Sequence, residues 1–108
     1  MRQSVFPAFD FPGCSEALLK LCYLGYEGDD VTVKLAAISN LERIKETPEA
    51  EKALVLLLKA ASNSNALVRA QAARVLVSYG GQQAQTVLTQ LRQDSDYRVV
   101  KAALEGLL

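Results

Sequence analysis

Between residues 82 and 93, apolar side chains recur at Ala84, Val87, Leu88 and Leu91, and Gln82, Thr86, Thr89 and Gln93 fall opposite them. Steps of three and four place the apolar set on one stripe of an α-helix. The stripe has two earlier relatives. Ala17, Leu18 and Leu21 match Ala53, Leu54 and Leu57, which match Val87, Leu88 and Leu91, at offsets of 36 and 34. A second pattern of nine residues alternates with the first, running from Val33 to Leu41, from Val68 to Leu76 and from Val99 to Leu107. Each copy opens on valine, carries a basic residue second or third, holds alanine fifth and closes on leucine. Starts 35 and then 31 residues apart make this an internal repeat. The chain therefore predicts six helices of two alternating types, B-A-B-A-B-A, with the nine-residue copies on the A helices.

Helix signals set the boundaries. Residues 1–14 form an N-terminal arm in which Phe6, Phe9 and Phe11 are spaced by Pro7 and Pro12, a proline density that discourages a helix. Ser15 caps a helix to about Leu24, ended by Gly25 and Gly28. Asp29 or Asp30 starts the next, to about Lys45. Thr47 followed by Pro48 begins a third, ending near Ala61. Asn63–Asn65 is a turn, Ala66 to Tyr79 a helix, and Gly80-Gly81 a break. Gln82 to Arg92 follows, and Asp94-Ser95-Asp96 caps the last helix, which runs to Leu108. Alanine at the fifth place of each copy lets A helices approach closely, and the flanking Val, Ile and Leu fill the layer between them. One such pair cannot bury its faces alone, so stacking stabilises the array.

The stretches Asp94-Ser95-Asp96-Tyr97-Arg98-Val99-Val100-Lys101-Ala102-Ala103-Leu104 and Asn65-Ala66-Leu67-Val68-Arg69, the latter followed by Ala72-Ala73, resemble HEAT repeats. They are most similar to the short HEAT-like class that includes the phycobilisome lyase type. The resemblance covers roughly residues 15–108. It implies an all-α, right-handed α-solenoid of about three short repeats, acting as a non-catalytic scaffold that binds another protein on a concave helical surface. A bilin-lyase-type or chromophore-handling subunit is the alternative it leaves open, although no residue here marks a chromophore pocket. The tetratricopeptide and ankyrin patterns fit less well.

Composition narrows the chemistry. The 108 residues predict one domain, and twelve basic and twelve acidic side chains cancel, so no global field recruits nucleic acid or an anionic membrane. The longest apolar run, Ala53–Leu58, is far short of a membrane span. The chain has no histidine, which removes histidine-based metal sites, Ser-His or Cys-His nucleophiles, and the His-Glu iron pairs of HEAT-like hydroxylases. With no tryptophan and no net charge it also lacks what HEAT-like DNA glycosylases rely on. No catalytic residue, cofactor or metal site is expected. Cys14 and Cys22 read as reduced thiols, and with no signal-peptide core after Met1 and Arg2 the expected location is cytoplasmic.

Candidate sites therefore lie on surfaces. The resemblance assigns the concave face to the B helices, whose outward positions are Thr86, Thr89 and Gln93 on the third. Carried back by the offsets, these become Lys52, Val55 and Lys59 on the second, and Glu16, Leu19 and Tyr23 on the first. The prediction is a groove with an apolar centre at Leu19 and Val55, flanked by Tyr23, Lys52 and Lys59. The alternative is that the arm, or a modest rotation of these helices, covers them. The arm itself reads either as a docking arm or as a cap folded over the first B helix. Tyr97, Val100, Leu104, Leu107 and Leu108 give the last helix more apolar surface than one neighbour covers, a candidate for self-association. Arg69, Arg74, Arg92, Arg98 and Lys101 make the C-terminal half basic, while Glu42, Glu46, Glu49 and Glu51 gather around the first loop. As a phosphate track the basic set is weak, and Arg69 is expected to meet a loop aspartate, with Asp30, Asp94 and Asp96 as candidates.

Overall fold

The computed structural model describes residues 14–107. In chain order the elements are α1 (Cys14–Glu27), α2 (Val31–Asn40) with a 3₁₀ turn (Leu41–Ile44) behind it, α3 (Ala50–Ala60), α4 (Ala66–Tyr79), α5 (Gly81–Leu91) and α6 (Tyr97–Leu107). Among the described residues there is no strand. The N-terminal arm lies outside them except for Cys14, which opens α1 with its side chain buried.

Helices α2, α4 and α6, which carry the nine-residue copies, stack directly on one another. Alanines make this close approach possible: Ala37, Ala72, Ala73, Ala102 and Ala103 are all buried. Helices α1, α3 and α5 form a second layer, α1 against α2, α3 against α4, and α5 against α4 and α6; no two of these outer helices approach each other as closely. Leu18, Ile38, Leu41, Ile44, Leu56, Leu57, Val68, Leu76, Leu88 and Val99 fill the space between layers and are fully buried. Each contributes about 1.5–3 kcal/mol by leaving water. The core is thus a continuous seam along a body 43 × 29 × 23 Å in extent.

Two expected caps form, at Asp30 and Asp96, and Asn65, expected only as part of a turn, caps α4 as well. The Asp30 carboxylate accepts from Val33 N at 3.2 Å, Asn65 Oδ1 from Leu67 N at 2.8 Å, and Asp96 Oδ1 from Arg98 N at 2.8 Å. Gly80 and Gly81, at φ +66° and +88°, form the α4–α5 break in a conformation that other residues rarely adopt.

Elsewhere the boundaries differ. Gly25 does not end α1. It lies within it, where a Cβ would come 3.2 Å from Ala37 Cβ and 3.3 Å from Val33 Cγ1, so this glycine serves the crossing with α2. The helix expected to reach Lys45 tightens to 3₁₀ at Leu41, because the Tyr79 hydroxyl donates to the Leu41 carbonyl at 2.7 Å. Lys45 N then reaches Glu42 O, at 3.3 Å. Leu41 and Ile44, three apart, share one side of this turn and both enter the core. Thr47 Oγ1 accepts from Glu49 N at 3.2 Å, but in a turn through Pro48 that precedes the first residue of α3, Ala50.

Candidate interaction surfaces

On the outer layer, Lys52, Val55 and Lys59 share one face of α3 at spacings of three and four. Val55 is 61 % exposed and both lysines are exposed. Lys52 lies 3.8 Å from Glu49. On α5, Thr86 and Thr89 are exposed and donate back to the carbonyls of Gln82 and Gln85 at 3.0 and 2.8 Å; Gln93 is exposed just beyond the helix. Tyr23 is half-buried against the core.

Leu19 is not part of this surface. It is 5 % exposed and belongs to the core, so the predicted apolar centre of Leu19 and Val55 does not form. The cause is the rotation of α1, which turns Leu18, Leu19, Cys22 and Tyr26 inward and leaves Leu21 and Leu24 outward, Leu24 at 70 % exposure. Tyr26 anchors this setting. Its hydroxyl accepts from Asn63 Nδ2 at 2.9 Å, and its ring lies 4.8 Å from Lys34 Nζ, which also donates to the Tyr26 carbonyl. Lys59 Nζ lies 6.0 Å from the same ring. Transfer of offsets from α3 and α5 missed this because α1 buries a tyrosine where the other two have no counterpart.

The loops between layers repeat a single construction. In Asn63-Ser64-Asn65 the first side chain accepts from the backbone N–H two residues on, at 2.8 Å, and Asp94-Ser95-Asp96 does the same at 2.9 Å. Asn63 meets Tyr26, and Asp94 meets Arg69 through Nε and Nη2, both at 2.9 Å. Arg69 Nη1 also donates to the carbonyls of Asn63 and Ser64, at 2.9 and 3.1 Å, tying both loops to one guanidinium. Of the aspartates considered for Arg69, Asp94 is the one that pairs. Arg69 holds the Asp94 carboxyl below its ordinary range, and hydrogen bonds from Arg98 bring Asp96 to about 2.

At the C-terminal helix, Tyr97 is 76 % exposed and Leu104 is exposed, Val100 is half-buried, and Leu107 is half-buried against the core. Leu108 lies outside the described residues. Beside this face a shallow cleft of about 290 Å³ opens between α4 and α6, lined by Arg74, Tyr97, Arg98, Lys101, Ala102 and Glu105. The sequence shows Tyr97, Lys101 and Glu105 at steps of four on one helix face. It does not show that Arg74 joins them, because Arg74 comes from the neighbouring helix.

Among the described residues no three His, Cys, Asp or Glu side chains cluster as metal ligands. Burial pushes the Cys22 thiol up to about 11, the nearby Arg43 charge pulling the other way, so burial favours the protonated form. No described helix is long and apolar enough to cross a membrane.

Stacked helix pairs joined through repeated Asx loops define an α-solenoid. The family model described as HEAT repeats matches residues 16–108, and the chain belongs to the HEAT repeat family. Arrays of this family generally mediate protein–protein contacts. No curated protein and no solved structure matches the chain.

Proposed function

We propose that this chain is a non-catalytic protein-interaction scaffold whose α3 and α5 surface receives another protein. The observation that carries it is Val55, an aliphatic side chain 61 % exposed between two lysines on a helix whose opposite face is locked into the core. An exposed apolar side chain on a rigid, cation-flanked face supplies contact area without ordering a loop, so association loses little conformational entropy. Tyr23, Thr86, Thr89 and Gln93 extend the surface with polar and aromatic rim contacts. The two buried free thiols, Cys14 and Cys22, suit a reducing cytoplasmic setting.

Affinity capture from the source organism, run in parallel with wild type and Val55→Asp, tests this reading. Proteins held by wild type and lost by the variant support it and identify the partner. Identical captures by both overturn the assignment to this surface. Self-association through α6 is a second use of the scaffold, supported by exposed Tyr97 and Leu104. A species that sediments as a monomer at every concentration overturns it.

A further inference from the structure

We infer that the cleft between α4 and α6 is the seat for an acidic peptide segment of the partner protein; this rests on the protein-binding reading above. The close stacking that alanines permit leaves buried Ala102 as a floor, over which Arg74 on one helix and Tyr97, Arg98, Lys101 and Glu105 on the other stand as walls. The cations differ in their availability. Arg98 is held by Asp96 through bonds of 3.1 and 2.9 Å. Arg74 donates at 3.0 Å to the neutral Gln71, and Lys101 has no ion-pair partner among the described residues. Two cations from different helices therefore face one cleft with their charges uncompensated by a bonded carboxylate. Tyr97 beside them offers a mostly exposed ring, and exposed Leu104 lies about two turns farther along the same helix.

That combination suits a carboxylate between Arg74 and Lys101, with an apolar side chain of the same segment laid on Tyr97 and Leu104. A nucleic-acid backbone fits less well. Glu105 stands in the cleft wall and Asp96 beside Arg98, so a continuous run of phosphates meets two carboxylates, and a single aromatic offers no stacking series.

The test is fluorescence anisotropy of a dye-labelled peptide bearing a glutamate run followed by leucine and tyrosine, titrated with the full chain. Its lysine-for-glutamate counterpart and a single-stranded oligothymidylate are the comparison probes. The acidic peptide is expected to bind, with Arg74→Glu and Lys101→Glu each weakening it about tenfold or more. Glu105→Lys is expected to tighten binding severalfold, a gain that misfolding does not produce. Val55→Asp should leave peptide affinity unchanged, so the α3 surface and the cleft fail or stand separately. No peptide binding, binding indifferent to these charge changes, or tighter and steeply salt-dependent binding of the oligonucleotide each overturns the proposal. So does concentration-dependent self-association that Lys101→Glu abolishes, since the acidic run Glu42, Glu46, Glu49 and Glu51 would then make a second copy the occupant.

Discussion

Arg69 and Asp94, 25 residues apart in sequence, meet as a two-bonded ion pair with both N···O distances at 2.9 Å and side chains only 16 % and 12 % exposed. The guanidinium leaves α4 and the carboxylate begins the loop into α6, so the pair joins two successive repeats. Removal of Arg69 also releases the carbonyls of Asn63 and Ser64. Arg69→Ala is expected to lower unfolding free energy by about 1.5–3 kcal/mol, with Arg69→Lys recovering only part, because lysine lacks the planar fork. Urea denaturation measures both.

The same pair sets a pH dependence. Asp94 has a folded-state pKa below its ordinary value of 3.8, first because of the Arg69 hydrogen bond. Below that ordinary value the unfolded chain takes up a proton before the folded one does, so the stabilisation is present above it and lost as pH falls through the folded value. Wild type should lose stability on acidification more steeply than Arg69→Ala. Parallel slopes in the two proteins would remove Asp94 as the cause.

Two helical glycines should respond differently to alanine. At Gly106 a new Cβ would run into Val77 and stand 3.0 Å from Leu88 Cδ1, with α6 already pressed on α4. Gly106→Ala is expected to cost about 1–3 kcal/mol, partly recovered by adding Val77→Ala. At Gly25 the nearest atoms are at 3.2 and 3.3 Å, and the gain in helix propensity, about 1 kcal/mol, offsets the crowding. Thermal unfolding of the two single variants and the double variant distinguishes the cases.

Tyr79→Phe removes the donor to the Leu41 carbonyl and should destabilise the chain by about 1–2 kcal/mol. In the wild type, burial foremost, then Cys22 and Glu42, raise the Tyr79 pKa well above 10. Its contribution is whole below pH 10 and is lost as pH rises toward the folded value, because the unfolded chain ionises first. Tyrosinate absorbance of the folded wild type should contain a phase well above pH 10 that is absent from Tyr79→Phe.

Leu19→Ala and Val55→Ala measure the rotation of α1. The first should cost about 2–4 kcal/mol as a core truncation, the second within about 0.5 kcal/mol. Equal effects would put Leu19 back on the surface.

The fold was legible because stacking demands a residue type at fixed spacing. Valine, alanine and leucine at the first, fifth and ninth places of each copy mark helices α2, α4 and α6, and the polar residues Asp30, Asn65 and Asp96 mark three of their beginnings. What escaped depends on partners distant in sequence. Gly25 carries the same letter as a terminator, but Ala37 and Val33 make it a crossing point. The 3₁₀ turn at Leu41 needs Tyr79, 38 residues later. Leu19 sits at an outward position by analogy with Val55, yet Tyr26 and Asn63 rotate its helix inward. Of the surfaces proposed for binding, the shared exposed face of Val55, Lys52 and Lys59 follows from the spacing on one helix, whereas the α4–α6 cleft exists only once two helices are placed side by side.

The two Asx loops share one backbone design but differ in the head group they offer the preceding repeat. Asn63 presents an amide to the Tyr26 hydroxyl, and Asp94 presents a carboxylate to the Arg69 guanidinium. Exchanged, Arg69 would face a neutral amide, and a carboxylate would sit against a phenol that has no charge to return. The repeats are therefore not interchangeable bricks. Each carries a connector that accepts one predecessor, and the order of the array is written into its joints.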